Sequence, residues 1–174
     1  MHPKMLVVAG PPGSGKSTFF PVNGFGLDGF NADDRAAALN GGSYENISLD
    51  IRAHVGKEFE DFVADHIKAQ KSFAIETTLR TDITFRQAQL AKKAGFQIEM
   101  MYVTAGDFDS CLQRVIARGF SGGHSAPAEQ LKQIYDESLK NLPIQCRLFG
   151  QIGRPTRVDP QLPKTCQLFA NNRL

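Results

Sequence analysis

The chain has 174 residues, with 20 Lys or Arg and 18 Asp or Glu, so its formal net charge is only +2. At 41% hydrophobic and 22% charged residues, the composition is typical of a folded protein and excludes a disordered chain. The balanced charge provides no electrostatic basis for nucleic-acid binding, and no apolar run is long enough to span a membrane. We therefore expect one domain over residues 1–174, without nucleic acid or membrane as a partner.

The number and spacing of the cysteines indicate the redox environment in which the protein is expected to fold. Cys111, Cys146 and Cys166 are widely spaced and form no C-x-x-C pair, so metal and disulfide signatures are absent. Because the sequence begins directly with a strand and a glycine-rich loop, no signal peptide is predicted. These features favour reduced thiols packed in the core of a cytoplasmic protein.

The strongest motif follows the first predicted strand. The segment from Lys4 to Ala9 is short, apolar and valine-containing, as expected of a buried strand. The next eight residues match G-x-x-x-x-G-K-[ST], the phosphate-binding P-loop; they are Gly10, Pro11, Pro12, Gly13, Ser14, Gly15, Lys16 and Ser17. Thr18 follows them and is included in the predicted phosphate-binding segment. Glycines let main-chain N–H groups converge on a phosphate, and the helix that follows adds its positive N-terminal end.

This P-loop predicts a nucleoside-triphosphate site that also holds Mg²⁺. Lys16 is expected to reach the β- and γ-phosphates and to take part in catalysis, and the Ser17 hydroxyl is expected to hold Mg²⁺.

A candidate acid follows a glycine-rich connection. Pro21 and the glycines after it predict a short first helix and a loop to Phe30, which is either part of a substrate mouth or an ordinary surface connection. Asp33 then precedes a helical stretch that ends at Leu39. It could take or orient the proton of an acceptor alcohol, or it could simply cap the helix.

A second acid ends a buried strand. After a helix that Ser48 caps and that runs to about Ala69, the strand from Ser72 to Thr78 contains Glu76 near its carboxyl end. In parallel α/β sheets this end is where ligands bind. Glu76 could hold Mg²⁺ through water or bind an acceptor hydroxyl, or it could be a capping carboxylate.

The rest of the chain continues to alternate helices and strands. A helix from Thr81 or Asp82 to Ala94 is closed by Gly95. The strand from Gln97 to Val103 follows, and its methionines are expected in the core.

Asp107 starts the next helix, on which Arg114 and Arg118 share one edge. They could clamp a triphosphate or form surface ion pairs. Gly119 to His124 is predicted to be a lid loop within a lid region around residues 114–126.

The last predicted elements complete the fold class. Pro127 opens a helix whose apolar stripe reaches Leu142, and the helical signal fades beyond Pro143. Gln167 to Ala170 is predicted to be the final strand. The alternation predicts an α/β protein with three layers and a mostly parallel five-stranded sheet.

Five pieces of the sequence in this order resemble the zeta toxin family of P-loop small-molecule kinases. They span roughly Met5 to Leu142 and are the P-loop with its strand, the N-A-D piece at 31–33, the E-T-T-L piece at 76–79, the segment 114–124 ending in G-G-H, and S-L-K-N-L at 138–142. The resemblance implies a three-layer P-loop NTPase kinase fold and transfer of the γ-phosphate of ATP to a sugar hydroxyl, with UDP-N-acetylglucosamine as the favoured acceptor.

The resemblance also assigns residues. Asp33 matches the family's catalytic base, and Arg114 and Arg118 fall in its lid-arginine region. Asn31, Glu76 and Thr77 match the substrate side of the site. Two residues depart from the family pattern. Pro12 replaces the usual Asn, and Arg80 stands where a small residue is expected, so we add Arg80 to the predicted acceptor-binding residues.

Other functions remain open from the sequence. One alternative is a kinase of another small alcohol, such as an antibiotic, a nucleoside or a plain sugar. Another is a nucleotide-binding switch that acts through a protein partner. An antitoxin is the partner that the resemblance raises, although no residue of the sequence bears on it.

Overall fold

The computed structural model describes residues 2–104, 107–119, 127–146 and 167–170. The strands are β1 (Lys4–Ala9), β2 (Asp28–Phe30), β3 (Phe73–Thr77), β4 (Gln97–Thr104) and β5 (Gln167–Ala170). The helices are α1 (Lys16–Phe19), α2 (Ala32–Leu39), α3 (Leu49–Lys68), α4 (Ile83–Lys93), α5 (Phe108–Gly119) and α6 (Ala128–Cys146), with a 3₁₀ helix at Val22–Phe25. The predicted lid loop, Gly119 to His124, lies outside the described residues except for Gly119, and Cys166 lies outside them as well.

The five strands form one sheet in the order β2-β3-β1-β4-β5. β1 lies between β3 and β4 and is parallel to both, β2 is parallel to β3, and only β5 is antiparallel to its neighbour. The predicted α/β class with a mostly parallel five-stranded sheet is therefore confirmed.

Both faces of the sheet are covered, which explains the continuous apolar run of β1. Met5 and Val7 pack into the core that includes side chains of α3 and α4. Leu6 and Val8 point to the opposite face, where they pack with Val22 of the 3₁₀ helix. Because successive side chains of a strand point to opposite faces, a strand buried on both sides must be apolar throughout. This is the physical basis of the three layers.

Several predicted helix boundaries are confirmed by their caps. The Ser48 hydroxyl accepts a hydrogen bond from the Ile51 N–H at 3.2 Å, and the Asp107 carboxylate accepts one from the Ser110 N–H at 2.7 Å. α4 ends before Gly95, whose φ is +89°, as a left-handed helix stop requires.

Two local predictions were wrong. The loop predicted up to Phe30 contains β2, which is only three residues long and was not recognised because its sequence, Asp28-Gly29-Phe30, lacks any apolar alternation. α6 continues through Pro143 to Cys146 instead of fading there. Proline removes one helical hydrogen bond, and here it does so near the carboxyl end, where only one further turn depends on it.

None of the described helices combines the length and the apolar composition that crossing a membrane requires.

An exposed cluster ties β2 to α3 and generates a testable pH dependence. The Asp28 carboxylate accepts a hydrogen bond from the Lys71 ammonium group and lies 3.1 Å from the His66 imidazole. These hydrogen bonds, that of Lys71 first, lower the pKa of Asp28. The folded state therefore binds this proton less readily than the unfolded state does. Its stabilising effect is present above the ordinary Asp pKa of about 3.9 and is lost as the pH falls through the lower folded pKa.

We expect Asp28→Asn to be less stable than the wild-type protein at pH 7, with a difference that shrinks below about pH 4. Urea unfolding at a series of pH values measures this difference. Asp65→Asn serves as the control, since Asp65 is exposed and forms no ion pair within the described ranges. A stability difference that does not change with pH would contradict the assignment.

Candidate functional site

The carboxyl ends of the parallel strands bring three predicted pieces of the site together. β1 leads into the P-loop, and in the sheet register Val8 lies beside Glu76 of β3. Phe30 at the end of β2 lies beside Ile75 of β3, so the segment that starts at Asn31 emerges next to Glu76. Parallel strands place their carboxyl ends at one edge, and this edge carries the candidate site.

The P-loop is packed tightly against its neighbours. Its glycines have positive φ angles, +147° at Gly10, +75° at Gly13 and +99° at Gly15. A Cβ atom at Gly10 would lie 2.0 Å from the carbonyl oxygen of Val103, and one at Gly13 would lie 2.2 Å from that of Cys111. Glycine is therefore required by both the backbone conformation and the space at these positions.

The loop leaves a set of main-chain donors unused. The N–H groups of Gly13, Gly15, Lys16 and Ser17 donate to no acceptor in the described part of the chain. Clustered free N–H groups at a helix N-terminus form an anion-binding cradle, so the loop fits a phosphate group.

The remaining predicted P-loop residues shape this cradle. The N–H of Ser14 donates to Pro11 and that of Thr18 donates to Gly15. Pro11 and Pro12 have no N–H to donate, so they contribute shape and carbonyl groups.

Lys16 is folded back onto its own loop. Its ammonium group donates to the carbonyl oxygens of Gly10 at 2.8 Å and Pro11 at 3.0 Å, and it lies 3.9 Å from the Glu76 carboxylate. The residue is only 6% exposed. Burial lowers the pKa of Lys16, and the negative charge of Glu76 opposes that shift.

Glu76 and Ser17 place oxygen donors beside the cradle. The Ser17 hydroxyl donates to the two Glu76 carboxylate oxygens at 3.1 and 3.0 Å. Burial raises the pKa of Glu76, whereas the Lys16 charge and the Ser17 hydrogen bond lower it. A hydroxyl and a carboxylate next to a phosphate cradle are ligands that Mg²⁺ accepts. The residues present therefore fit Mg²⁺, and Glu76 is not the helix cap that the sequence left open.

Asp33 is not the cap of α2. The side-chain oxygen of Asn31 accepts the N–H groups of Asp33 at 3.0 Å and Asp34 at 3.3 Å, so Asn31 is the cap. The Asp33 carboxylate is exposed and makes no hydrogen bond or ion pair within the described ranges. The charges of Asp34 and Asp33 both raise the pKa of Glu76, and that of Asp33 also raises the pKa of Lys16. Asp33 lies in the first turn of α2, which follows β2 at the edge of the sheet that carries the cradle, and the acceptor contact of Asn31 stays a prediction.

The structure adds Tyr44, which the sequence analysis missed. Its hydroxyl donates to the Asp34 carboxylate at 2.9 Å, and this hydrogen bond raises the pKa of Tyr44. The charges of Asp33 and Arg118 also act on Tyr44. Tyr44 follows a Gly-Gly turn that indicates only a loop, so no local pattern pointed to it.

Both predicted arginines of α5 lie on the P-loop side. The Arg114 guanidinium group comes within 4.0 Å of the position that a Cβ atom at Gly15 would occupy. Burial has the largest effect on the pKa of Lys16, followed by the charges of Glu76 and Asp33. The positive charge of Arg118 comes next and lowers the pKa of Lys16.

The two remaining predicted acceptor residues differ in their surroundings. The Thr77 hydroxyl accepts hydrogen bonds from the Leu79 N–H at 3.1 Å and from the Thr84 hydroxyl at 3.2 Å, so it is already bonded to the turn after β3 and to the start of α4. Arg80 is exposed and forms no ion pair among the described residues. Their contacts with an acceptor stay predictions.

The glycine geometry yields a matched pair of variants. Gly13→Ala places a methyl group against the Cys111 carbonyl, whereas Gly26→Ala has a similar φ of +67° but no atom within 4 Å. Both variants should lose on the order of 1 kcal/mol of stability to backbone strain, and Gly13→Ala should lose more because its methyl group meets the Cys111 carbonyl oxygen. Only Gly13→Ala should also lose the rise in melting temperature that ADP with Mg²⁺ produces, because its cradle is displaced. A full nucleotide-induced shift in Gly13→Ala would show that phosphate does not bind at this loop.

Comparisons with known proteins agree with this geometry. The family model for an AAA domain matches residues 5–138, a range that contains the P-loop, Asp33, Glu76 and both arginines of α5. Comparison with curated protein sequences finds no match.

Three solved structures are similar in fold, each at 20% sequence identity. A candidate kinase from Chloroflexus aurantiacus J-10-fl gives a TM-score of 0.61 over 78% of this chain and 79% of that chain. A chain of the Pnkp1/Rnl/Hen1 RNA repair complex gives a TM-score of 0.64 over 82% of this chain and 46% of that chain. A chain of the PezAT toxin-antitoxin system of Streptococcus pneumoniae gives a TM-score of 0.60 over 84% of this chain and 61% of that chain.

At 20% identity the three structures establish a shared fold. The match covers less than two thirds of the length of the RNA repair chain and of the PezAT chain. The family match is of a different kind, because it covers most of the chain and includes the glycine loop whose free amides form the cradle. The chain belongs to the AAA domain family of P-loop proteins.

Proposed function

We propose that this protein is an ATP- and Mg²⁺-dependent phosphotransferase of the zeta toxin type, which moves the γ-phosphate of ATP to a hydroxyl group of a small molecule. The observation that carries the proposal is the cradle of unpaired loop amides together with the exposed carboxylate of Asp33 at the same carboxyl edge of the sheet. A nucleotide sugar such as UDP-N-acetylglucosamine is the favoured acceptor. This choice is supported by the sequence motifs that resemble the zeta toxin family.

The nucleotide side of the reaction rests on residues of the P-loop. The four unpaired N–H groups of the loop would receive phosphate oxygens. Lys16 would exchange the carbonyl oxygens of Gly10 and Pro11 for oxygens of the β- and γ-phosphates. Ser17 and Glu76 would hold Mg²⁺, which neutralises charge on the phosphate oxygens when it is bound.

The acceptor side rests on Asp33. As the acceptor oxygen bonds to the γ-phosphorus and the bond to ADP breaks, the hydroxyl proton passes to the Asp33 carboxylate. Arg114 and Arg118 would stabilise the negative charge on the phosphoryl group in transit. Because the transition state of phosphoryl transfer is loose, catalysis depends mainly on positioning and charge.

A kinase of another small alcohol is the second candidate. The exposed guanidinium group of Arg80 follows β3 at the acceptor edge and pairs with no carboxylate in the described segments. It would suit an acceptor that carries an anionic group.

Because the PezAT structure joins a toxin and an antitoxin by its description, an antitoxin protein is the macromolecular partner we propose.

The test is ATP turnover by the purified protein with a panel of acceptors that begins with UDP-N-acetylglucosamine. We expect Asp33→Asn to reduce transfer about 10²- to 10⁴-fold, as loss of a general base does, with ADP affinity unchanged. Lys16→Ala should lose both activity and nucleotide binding. Asp34→Asn is the matched control, because it removes the adjacent carboxylate, which is bonded to Tyr44.

Two outcomes would contradict the proposal. One is a slow hydrolysis of ATP that needs no acceptor and is unchanged in Asp33→Asn, which would favour a nucleotide-binding switch. The other is an equal loss of transfer in Asp33→Asn and Asp34→Asn, which would remove any special role of Asp33.

A further inference from the structure

A strained residue follows the acceptor end of β3. Leu79 has a φ of +56°, and among the described non-glycine residues with positive φ it is the buried one, at 0% exposure. The left-handed conformation costs a residue with a Cβ atom about 1–2 kcal/mol. Such strain persists only where the surroundings hold it, and it occurs most often at functional sites.

Three contacts hold Leu79 in this conformation. Its side chain lies in the main core, its N–H donates to the Thr77 hydroxyl at 3.1 Å, and its carbonyl oxygen accepts the side-chain amide of Asn141 at 2.8 Å. The last contact comes from α6, 62 positions along the chain.

α6 is itself fixed on the sheet where it presents Asn141. The Ser138 hydroxyl, one turn earlier, hydrogen-bonds the Tyr102 hydroxyl of β4 at 2.9 Å, and both residues are 0% exposed. Leu142, the next residue, packs against the main core. Residues three apart lie on one face of a helix, so this anchoring sets the position of the Asn141 amide.

The hydrogen bond from Asn141 controls the segment after β3 rather than β3 itself. Glu76 and Thr77 are held by the parallel register with Val8 and Ala9, and the Gly10 N–H donates to the Thr77 carbonyl at 3.2 Å. Beyond Thr77 these contacts stop, and the next exposed side chain after Leu79 is Arg80.

We propose that Asn141 is a positioning residue that holds the turn from Thr78 to Arg80 in its left-handed bend and so fixes Arg80 at the acceptor side of the site. This inference rests on the proposed kinase function for its acceptor. It assigns a role to the S-L-K-N-L segment, which follows the lid region in sequence and contains no residue placed in the phosphate site.

The experiment compares Asn141→Ala and Asn141→Asp, which both lack the amide donor, with Gln133→Ala as the control that removes an exposed side-chain hydrogen bond of α6. Hydrogen exchange of a peptide that covers residues 78–81 should be faster in both Asn141 variants than in Gln133→Ala. The KM for UDP-N-acetylglucosamine should rise about tenfold, the effect of losing roughly one hydrogen bond. The affinity for ADP should stay unchanged.

A double-mutant cycle tests whether Asn141 acts through Arg80. We expect Asn141→Ala combined with Arg80→Ala to have the same KM as Arg80→Ala alone. Additive effects, or a KM that rises equally in Gln133→Ala, would overturn the proposal. If no acceptor supports turnover, the proposed function fails, and the exchange comparison still decides about Asn141, because unchanged exchange at residues 78–81 would refute its hold on the turn.

Discussion

A buried ammonium group, folded onto its own loop and facing a buried carboxylate, is the interaction on which the rest of this site depends. Removing a charge from water costs several kcal/mol unless partners replace the lost hydration. Lys16 finds two carbonyl oxygens and the carboxylate of Glu76. These partners require a loop that closes tightly around its lysine and a neighbouring strand that ends in an acid.

The same arrangement leaves the site prepared for a polyanion. While Lys16 and Glu76 neutralise each other, the amides of Gly13, Gly15, Lys16 and Ser17 stay unpaired. A polyphosphate can supply both the acceptors that these amides lack and a new partner for the ammonium group. The reactive groups are thus positioned before any ligand arrives, which limits the reorganisation that binding requires.

The sheet order explains why residues distant in sequence meet at this site. β1 is flanked by parallel strands on both sides, so the P-loop emerges at the centre of the carboxyl edge. β3 brings Glu76 to one side of it, and α2 brings Asp33 to the same side one strand further. Asn141 of α6 also joins distant parts of the chain at this site, because its side-chain amide holds the turn after β3.

Local signals determined what the sequence could predict. The P-loop, the Ser48 cap and the Gly95 stop depend on residues within a few positions of one another, and all three were predicted from sequence. β2 was missed because three residues contain too little pattern, and it is stabilised by the rings of Phe59 and Phe62, which lie 5.3 Å from that of Phe30. Tyr44 was missed because its hydrogen bond to Asp34 spans ten positions of the chain, and no local sequence pattern predicts it.

The same limit applies to Asn31 and Asp33. Both are acceptable helix caps, and only the hydrogen bonds in the structure show that Asn31 caps α2 and leaves the carboxylate of Asp33 free. The pairing of Asn141 with Leu79 joins positions far apart in the chain, so it could not be deduced from either segment alone.

The most direct test of this account is a crystal structure of the protein with Mg²⁺ and a non-hydrolysable ATP analogue. The account predicts that the Lys16 ammonium group leaves the carbonyl oxygens of Gly10 and Pro11 and bonds to phosphate oxygens held by the loop amides. A nucleotide bound elsewhere, with Lys16 still on those two carbonyl groups, would contradict it.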